Sequence, residues 1–228
     1  MSTLSHGYNS ETKVAIVKMG PYPPSKKHIV YATIPIMCGA YHTHLSAMHG
    51  WSESLKQWPE QQYGADAFPR SQVAAFRSKT GEAMRWQMIP PWAKEFDSKH
   101  PTHNARIETV EEKPTYRNAW RRKQHCLIPM AGYYEWTGEK GSKTKWYITD
   151  KDTDGLVVAE LWDEWGKDKQ LSCTMITRDA DDYMSRVHHR MLHFLTPETA
   201  PAWMAGEMTI NQLHDLELPN VIYYPFEA

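Results

Sequence analysis

Cysteine is scarce in this chain. Three residues, Cys38, Cys126 and Cys173, lie far apart and are odd in number. Such spacing does not make a disulfide framework and fits a reducing compartment, so a cytoplasmic location is expected. No run of about 18 apolar residues occurs, which argues against a membrane span. The first residues also lack the apolar core of a secretory signal. Net charge is nearly absent, −1 at pH 7 from 26 Lys and Arg against 27 Asp and Glu. That balance excludes a protein that grips nucleic acid by its overall field, so any such contact needs a local basic patch. Internal repeats and low-complexity segments do not occur in the sequence.

Aromatic residues, by contrast, are plentiful, with ten Trp and twelve Tyr. They serve most often as core, and in a nucleic-acid-binding protein also as stacking surfaces for unpaired bases. The 228 residues are enough for one sizeable core and too few for two comfortable domains.

Chemistry concentrates in residues 103–136, HNARIETVEEKPTYRNAWRRKQHCLIPMAGYYEW. Asn104 and Arg106 are two apart, so on a strand they point the same way. A helix-like piece with Arg117, Arg121, Arg122 and Lys123 follows. Next comes an apolar run in which Glu135 stands between Tyr134 and Trp136. Most strand carboxylates face water, but one set among aromatics is a candidate for a raised pKa, because desolvation disfavours its charged form.

Around this stretch six motifs occur in order: Met37-Cys38-Gly39, Trp86 to Ala93 (WxxIPxWA), Asn104 to Thr109 (NARxET), Lys113 to Trp120 (KPxYRxAW), Cys126 to Trp136 (CLIPxxGYYEW), and His188 to Met191 (HHRM). Together they closely resemble the SRAP family, the SOS-response-associated proteins that crosslink to abasic sites in single-stranded DNA. The resemblance covers residues 37 to about 204. It implies an α+β fold: one domain, 38–228, with an antiparallel, barrel-like β core and peripheral helices. It also implies that Cys38, once N-terminal, is the reacting group, with Asn104 holding its amine, Glu135 as general acid and base, and His188 near the sugar. Trp92 becomes a stacking wedge, and Arg106, Arg117 and Arg190 become phosphate contacts. Pairing of these arginines with Glu108, Glu111 or Glu112 is the competing reading. The implied partner is single-stranded DNA containing abasic sites, bound by a monomer with no cofactor or metal.

Two departures from the family pattern stand out: Ala40 replaces the usual Arg after MCG, and the loop at 63–73 is longer. Residues 1–37 form an extension ahead of the working cysteine. A start at Met37 is expected, because Met before a small residue is trimmed; cleavage of the extension and a chain inactive as written are the alternatives. Other readings of the same residues are an N-terminal-nucleophile amidohydrolase, a metal module built on Cys38, His42 and His44, and a non-covalent single-strand-binding protein.

Local signals predict further elements. Turn residues 138–142 predict a hairpin into a strand at 145–149. Apolar strands are expected at 156–165 and 173–180, then a short helix near 180–186 and a strand from His188 to Leu195. Thr196 with Pro197 reads as a helix start, 209–216 as a second helix and 221–226 as a last strand. Residues 83–93 read as a strand ending at Pro90, and residues 52–58 as a polar helix-like piece.

Overall fold

Residues 125–137 of the sequence just described, apolar almost throughout, become the longest strand of the molecule. The computed structural model describes residues 38–43, 50, 51, 53–59, 65–97 and 99–226, all within one unit, Pro35–Ala228. The extension 1–37 lies outside the described residues. In chain order the strands are β1 Tyr41–Thr43, β2 Asp66–Ala67, β3 Gln72–Phe76, β4 Gly81–Trp86, β5 Asn104–Arg106, β6 His125–Thr137, β7 Thr144–Asp150, β8 Leu156–Trp165, β9 Gln170–Asp179, β10 Arg190–Leu192, β11 Phe194–Leu195 and β12 Val221–Pro225. Among the described residues three five-residue helices join them: α1 Arg117–Arg121, α2 Ala200–Met204 and α3 Ile210–His214.

Strands β8, β9, β4, β3 and β6 lie side by side in that order, and the β6–β8 ladder closes them into a five-stranded barrel. Closure removes the unpaired edges that an open sheet leaves. The expected barrel-like α+β domain is therefore present. Its pairing is mainly antiparallel, with two short parallel contacts of β9, to β4 and to β5.

Side chains alternate along each strand, and this sorts the core into two layers. Cys126, Ile128 and Met130 of β6 join Val158 of β8 and Met175 of β9 in one cluster. Their sequence neighbours Leu127, Val157 and Ala159 join Ile107, Ala119, Trp203 and Leu213 in the other, against the three helices. The barrel thus has a filled interior and a helical backing. At Gly132 an added Cβ would lie 2.5 Å from the Ile148 carbonyl oxygen. Glycine is required there because β7 comes so close.

The hairpin β6–β7, the long β8 and β9, the helix at 210–214 and the last strand fall where the sequence predicts them. Four elements differ. The strand expected to end at Pro90 stops at Trp86, where the following Gln87 takes a left-handed φ of 125°. The strand expected from His188 to Leu195 is broken at His193. Its N–H donates to the Ile176 carbonyl while its own carbonyl accepts from Ala159, at 2.9 Å each, so the chain passes from β9 to β8 at that residue. The helix expected at Thr196 begins at Ala200, because Thr196 and Thr199 bond to one another in a preceding turn. Residues 53–58 form turns and a bridge from Gln57 to Thr80 rather than a helix.

A carboxyl sits inside the barrel. Glu160 is fully buried, and the Cys126 thiol donates to its Oε2 at 3.8 Å. Burial pushes this carboxyl well above the carboxylate range. A group whose folded pKa is raised stabilises the fold fully below its unfolded value, about 4.3, and that contribution is lost as pH rises toward the folded value. Glu160→Gln removes the titration. Denaturant unfolding is therefore expected to show the variant gaining stability over the parent as pH rises from 5 to 9; parallel pH curves would contradict this.

Candidate active site

Glu135 is positioned by alternation on β6. It points to the same side as Tyr133, and its cross-strand neighbour on β7 is Trp146. Only 2% of it is exposed. Desolvation pushes its carboxyl up to about 8, and the backbone N–H of Cys38 pulls the other way. That N–H donates to Oε1 at 2.7 Å. The two residues are 97 apart in sequence, and β1 brings them together. Tyr41 pairs with Tyr133, and the Tyr134 N–H donates to the Ala40 carbonyl at 3.0 Å. Cys38 itself is fully buried, with a left-handed φ of 41°. Burial pushes its thiol up, and the nearby carboxylates Glu135 and Glu160 add to the effect.

Asn104 and Arg106 flank buried Ala105 on β5, beside Met175 and Thr177 of β9. The Tyr116 hydroxyl donates to the Asn104 carbonyl at 3.1 Å, which ties this strand to the start of α1. His188 is buried just before β10, on the other flank of β9. Its Nδ1 lies 3.0 Å from the Arg190 backbone nitrogen and 3.1 Å from the Arg190 carbonyl oxygen, so the imidazole is held by the backbone two residues on. The His189 ring stacks on it at 4.4 Å.

The expected phosphate contacts divide. Arg106 and Arg117 are exposed. Arg190 is buried and grips Glu108 in a fork, Nη1 to Oε1 at 2.9 Å and Nη2 to Oε2 at 2.8 Å; Nη2 also donates to the Thr177 carbonyl. The pairing with Glu108 that the sequence offered as the alternative is the one the fold contains. Trp92 stands on a turn with 54% of its surface exposed. It borders an open hollow of about 560 Å³ that Lys94, Lys99 and His100 also line.

Sequence reading missed two parts. One is Asp66, whose Oδ1 accepts from the Tyr134 hydroxyl at 3.1 Å and lies 3.0 Å from His42 Nδ1. That carboxylate fastens β2 to β6. The other is Tyr133, two residues before Glu135 and therefore on its side of the strand, which the i, i+2 spacing could have flagged. Tyr133 lies within electrostatic reach of Glu135, Cys38 and Asp181. Of the metal-module residues, His42 is engaged with Asp66, and His44 lies outside the described residues. Among the described residues no helix is long and apolar enough to cross a membrane.

A family model described as SOS response associated peptidase (SRAP) matches residues 37–222. The chain is 34% identical over 130 residues to a Bacillus subtilis protein named abasic site processing protein YoqW, covering 55% of this chain and 58% of that protein. It is 30% identical over 173 residues to the Xenopus tropicalis abasic site processing protein HMCES, covering 63% of this chain and 51% of that one. The match thus spans little more than half the length of these relatives. A crystal structure of a Bordetella bronchiseptica protein superposes with a TM-score of 0.70 at 28% identity, covering 84% of this chain and all of the other.

The two kinds of arginine predict different stability effects. Arg190→Ala leaves Glu108 and the Thr177 carbonyl without their donor and is expected to cost about 2 kcal/mol. Arg106→Ala, on the surface, is expected to change stability by less than about 0.5 kcal/mol. Urea unfolding of both variants measures the difference.

Proposed function

The chain belongs to the SOS response associated peptidase (SRAP) family, and from that premise we propose that it processes abasic sites in DNA by forming a covalent crosslink through Cys38. The names of its relatives support the substrate. The observation that carries the chemistry is the 2.7 Å hydrogen bond from the Cys38 backbone nitrogen to Glu135. When Cys38 is the first residue of the chain, that nitrogen is an α-amine held against a carboxyl.

A ring-opened abasic site carries an aldehyde. The amine nitrogen attacks the aldehyde carbon, and a proton moves from nitrogen to oxygen. Glu135, protonated near neutral pH by its burial, gives its proton to that oxygen, which leaves as water and yields an iminium. The Cys38 sulfur then adds to the same carbon, and the thiol proton returns to Glu135. The product is a five-membered thiazolidine with net loss of one water. An α-amine has a pKa of about 7.7 to 8.0, so a useful fraction is uncharged near pH 7, whereas a lysine near 10.4 would be almost entirely charged. Carboxyl and amine are therefore matched in the range where proton transfer is most effective. Asn104 holds the amine without altering its charge, and the His188 imidazole serves the sugar or its phosphate. Arg106 and Arg117 contact the DNA backbone, and Trp92 stacks against a base.

The reaction requires a free amine at Cys38. Protein begun at Met37 and protein begun at Met1 are therefore compared, each mixed with a single-stranded oligonucleotide bearing one abasic site and run on a denaturing gel. A shifted band from the Met37 form is expected. Absence of a band from both forms would sink the proposal. Cys38→Ala is expected to abolish the adduct while leaving non-covalent binding largely intact.

Rate against pH is expected to be bell-shaped. It rises as the amine loses its proton and falls as Glu135 ionises above about 8. A protonated amine beside the carboxyl would draw the second limb lower. Glu135→Gln is expected to slow the reaction about 10²-fold or more and to erase the alkaline limb; a wild-type profile in that variant would remove Glu135 from the mechanism.

A further inference from the structure

Tyr133 is fully buried, and its hydroxyl has no hydrogen-bond partner among the described residues. A buried phenol oxygen left without a partner costs about 1–3 kcal/mol of desolvation, and native cores rarely keep one without a reason. Its place supplies the reason. Tyr133 is two residues from Glu135 on β6, so both side chains leave the strand on one side. It is the ladder partner of Tyr41 in β1, the strand that begins three residues after Cys38. Its ring packs against Phe194 at 6.0 Å between centroids. Burial and the charges of Glu135 and Cys38 hold the phenol in its protonated form, so it can donate but does not ionise.

We propose that the Tyr133 hydroxyl is a catalytic hydrogen-bond donor to the aldehyde oxygen of the abasic sugar as the Cys38 amine attacks. This rests on the crosslinking reading above and adds to it a residue that senses the reacting carbonyl. In the attack the C=O π electrons move onto oxygen while the C–N bond forms. A fixed neutral donor stabilises that oxygen without giving up its proton, and it requires no reorganisation during the reaction. Glu135 alone then delivers the proton that lets the oxygen leave as water. The division of labour fits the surroundings: the phenol stays protonated throughout, while the carboxyl near 8 changes state. The orphan hydroxyl is thus a group prepared for an oxygen that arrives with the substrate.

Tyr133→Phe removes one oxygen and nothing else, so the variant should fold. Three quantities are compared with wild type, using the full chain and the form begun at Met37: thermal stability, non-covalent affinity for an abasic single strand in the Cys38→Ala background, and the crosslinking rate at saturating DNA. The expected result is equal or higher stability, affinity within about twofold, and a rate lowered about 10- to 100-fold with the pH profile unchanged in shape. A structural hydroxyl would behave differently: stability would change and the rate would stay within twofold of wild type, and that outcome overturns the proposal. If the wild-type protein itself forms no adduct, the crosslinking reading fails and this proposal fails with it. A variant that crosslinks slowly beside an active parent distinguishes the two cases.

Discussion

Strand β6 is shared between two pairings, and the rest of the molecule depends on that sharing. Its first half, His125–Met130, pairs with β8 and closes the barrel. Its second half, Tyr133–Thr137, leaves the barrel and pairs with β7. Between them it takes β1, which presents Cys38. A thirteen-residue strand that changes partners midway needs a point where neighbouring backbone comes close, and Gly132 is that point. One continuous ladder therefore sets the barrel, the position of the cysteine and the direction of Tyr133 and Glu135 together. The site is as rigid as the barrel, which is what chemistry requiring fixed donors needs.

Low dielectric inside the barrel mouth accounts for the electrostatics. Glu135, Cys38 and Tyr133 all shift toward their uncharged forms, with burial as the leading cause each time. Neutral groups at neutral pH can pass or point protons without first losing a charge. Deeper in the barrel, Glu160 obeys the same physics with no evident role in the reaction.

Much of this was legible in the sequence because the signals are local. Alternating apolar residues marked β8 and β9, Gly138 and Gly141 marked the hairpin turn, and a carboxylate between two aromatics marked Glu135. What stayed hidden depends on long-range partners. No local rule breaks the strand at His193; the break comes from backbone bonds to Ile176 and Ala159 on two other strands. No spacing pairs Arg190 with Glu108, 82 residues away, so a guanidinium that looked suited to phosphate could equally be a clasp inside the fold. The i, i+2 relation of Tyr133 and Glu135 was on the page from the start. Its meaning required the unpartnered hydroxyl, which only packing reveals.

The left-handed backbone of Cys38 has a consequence for the leader that precedes it. Its φ of 41° is a torsion defined by the carbonyl carbon of the residue before it, and a non-glycine residue held there costs about 1–2 kcal/mol. A chain that begins at Cys38 has no such carbonyl, so the torsion and its penalty cease to exist while the bond to Glu135 can be kept. The first residue of such a chain can therefore hold its nitrogen against Glu135 with no left-handed penalty to offset.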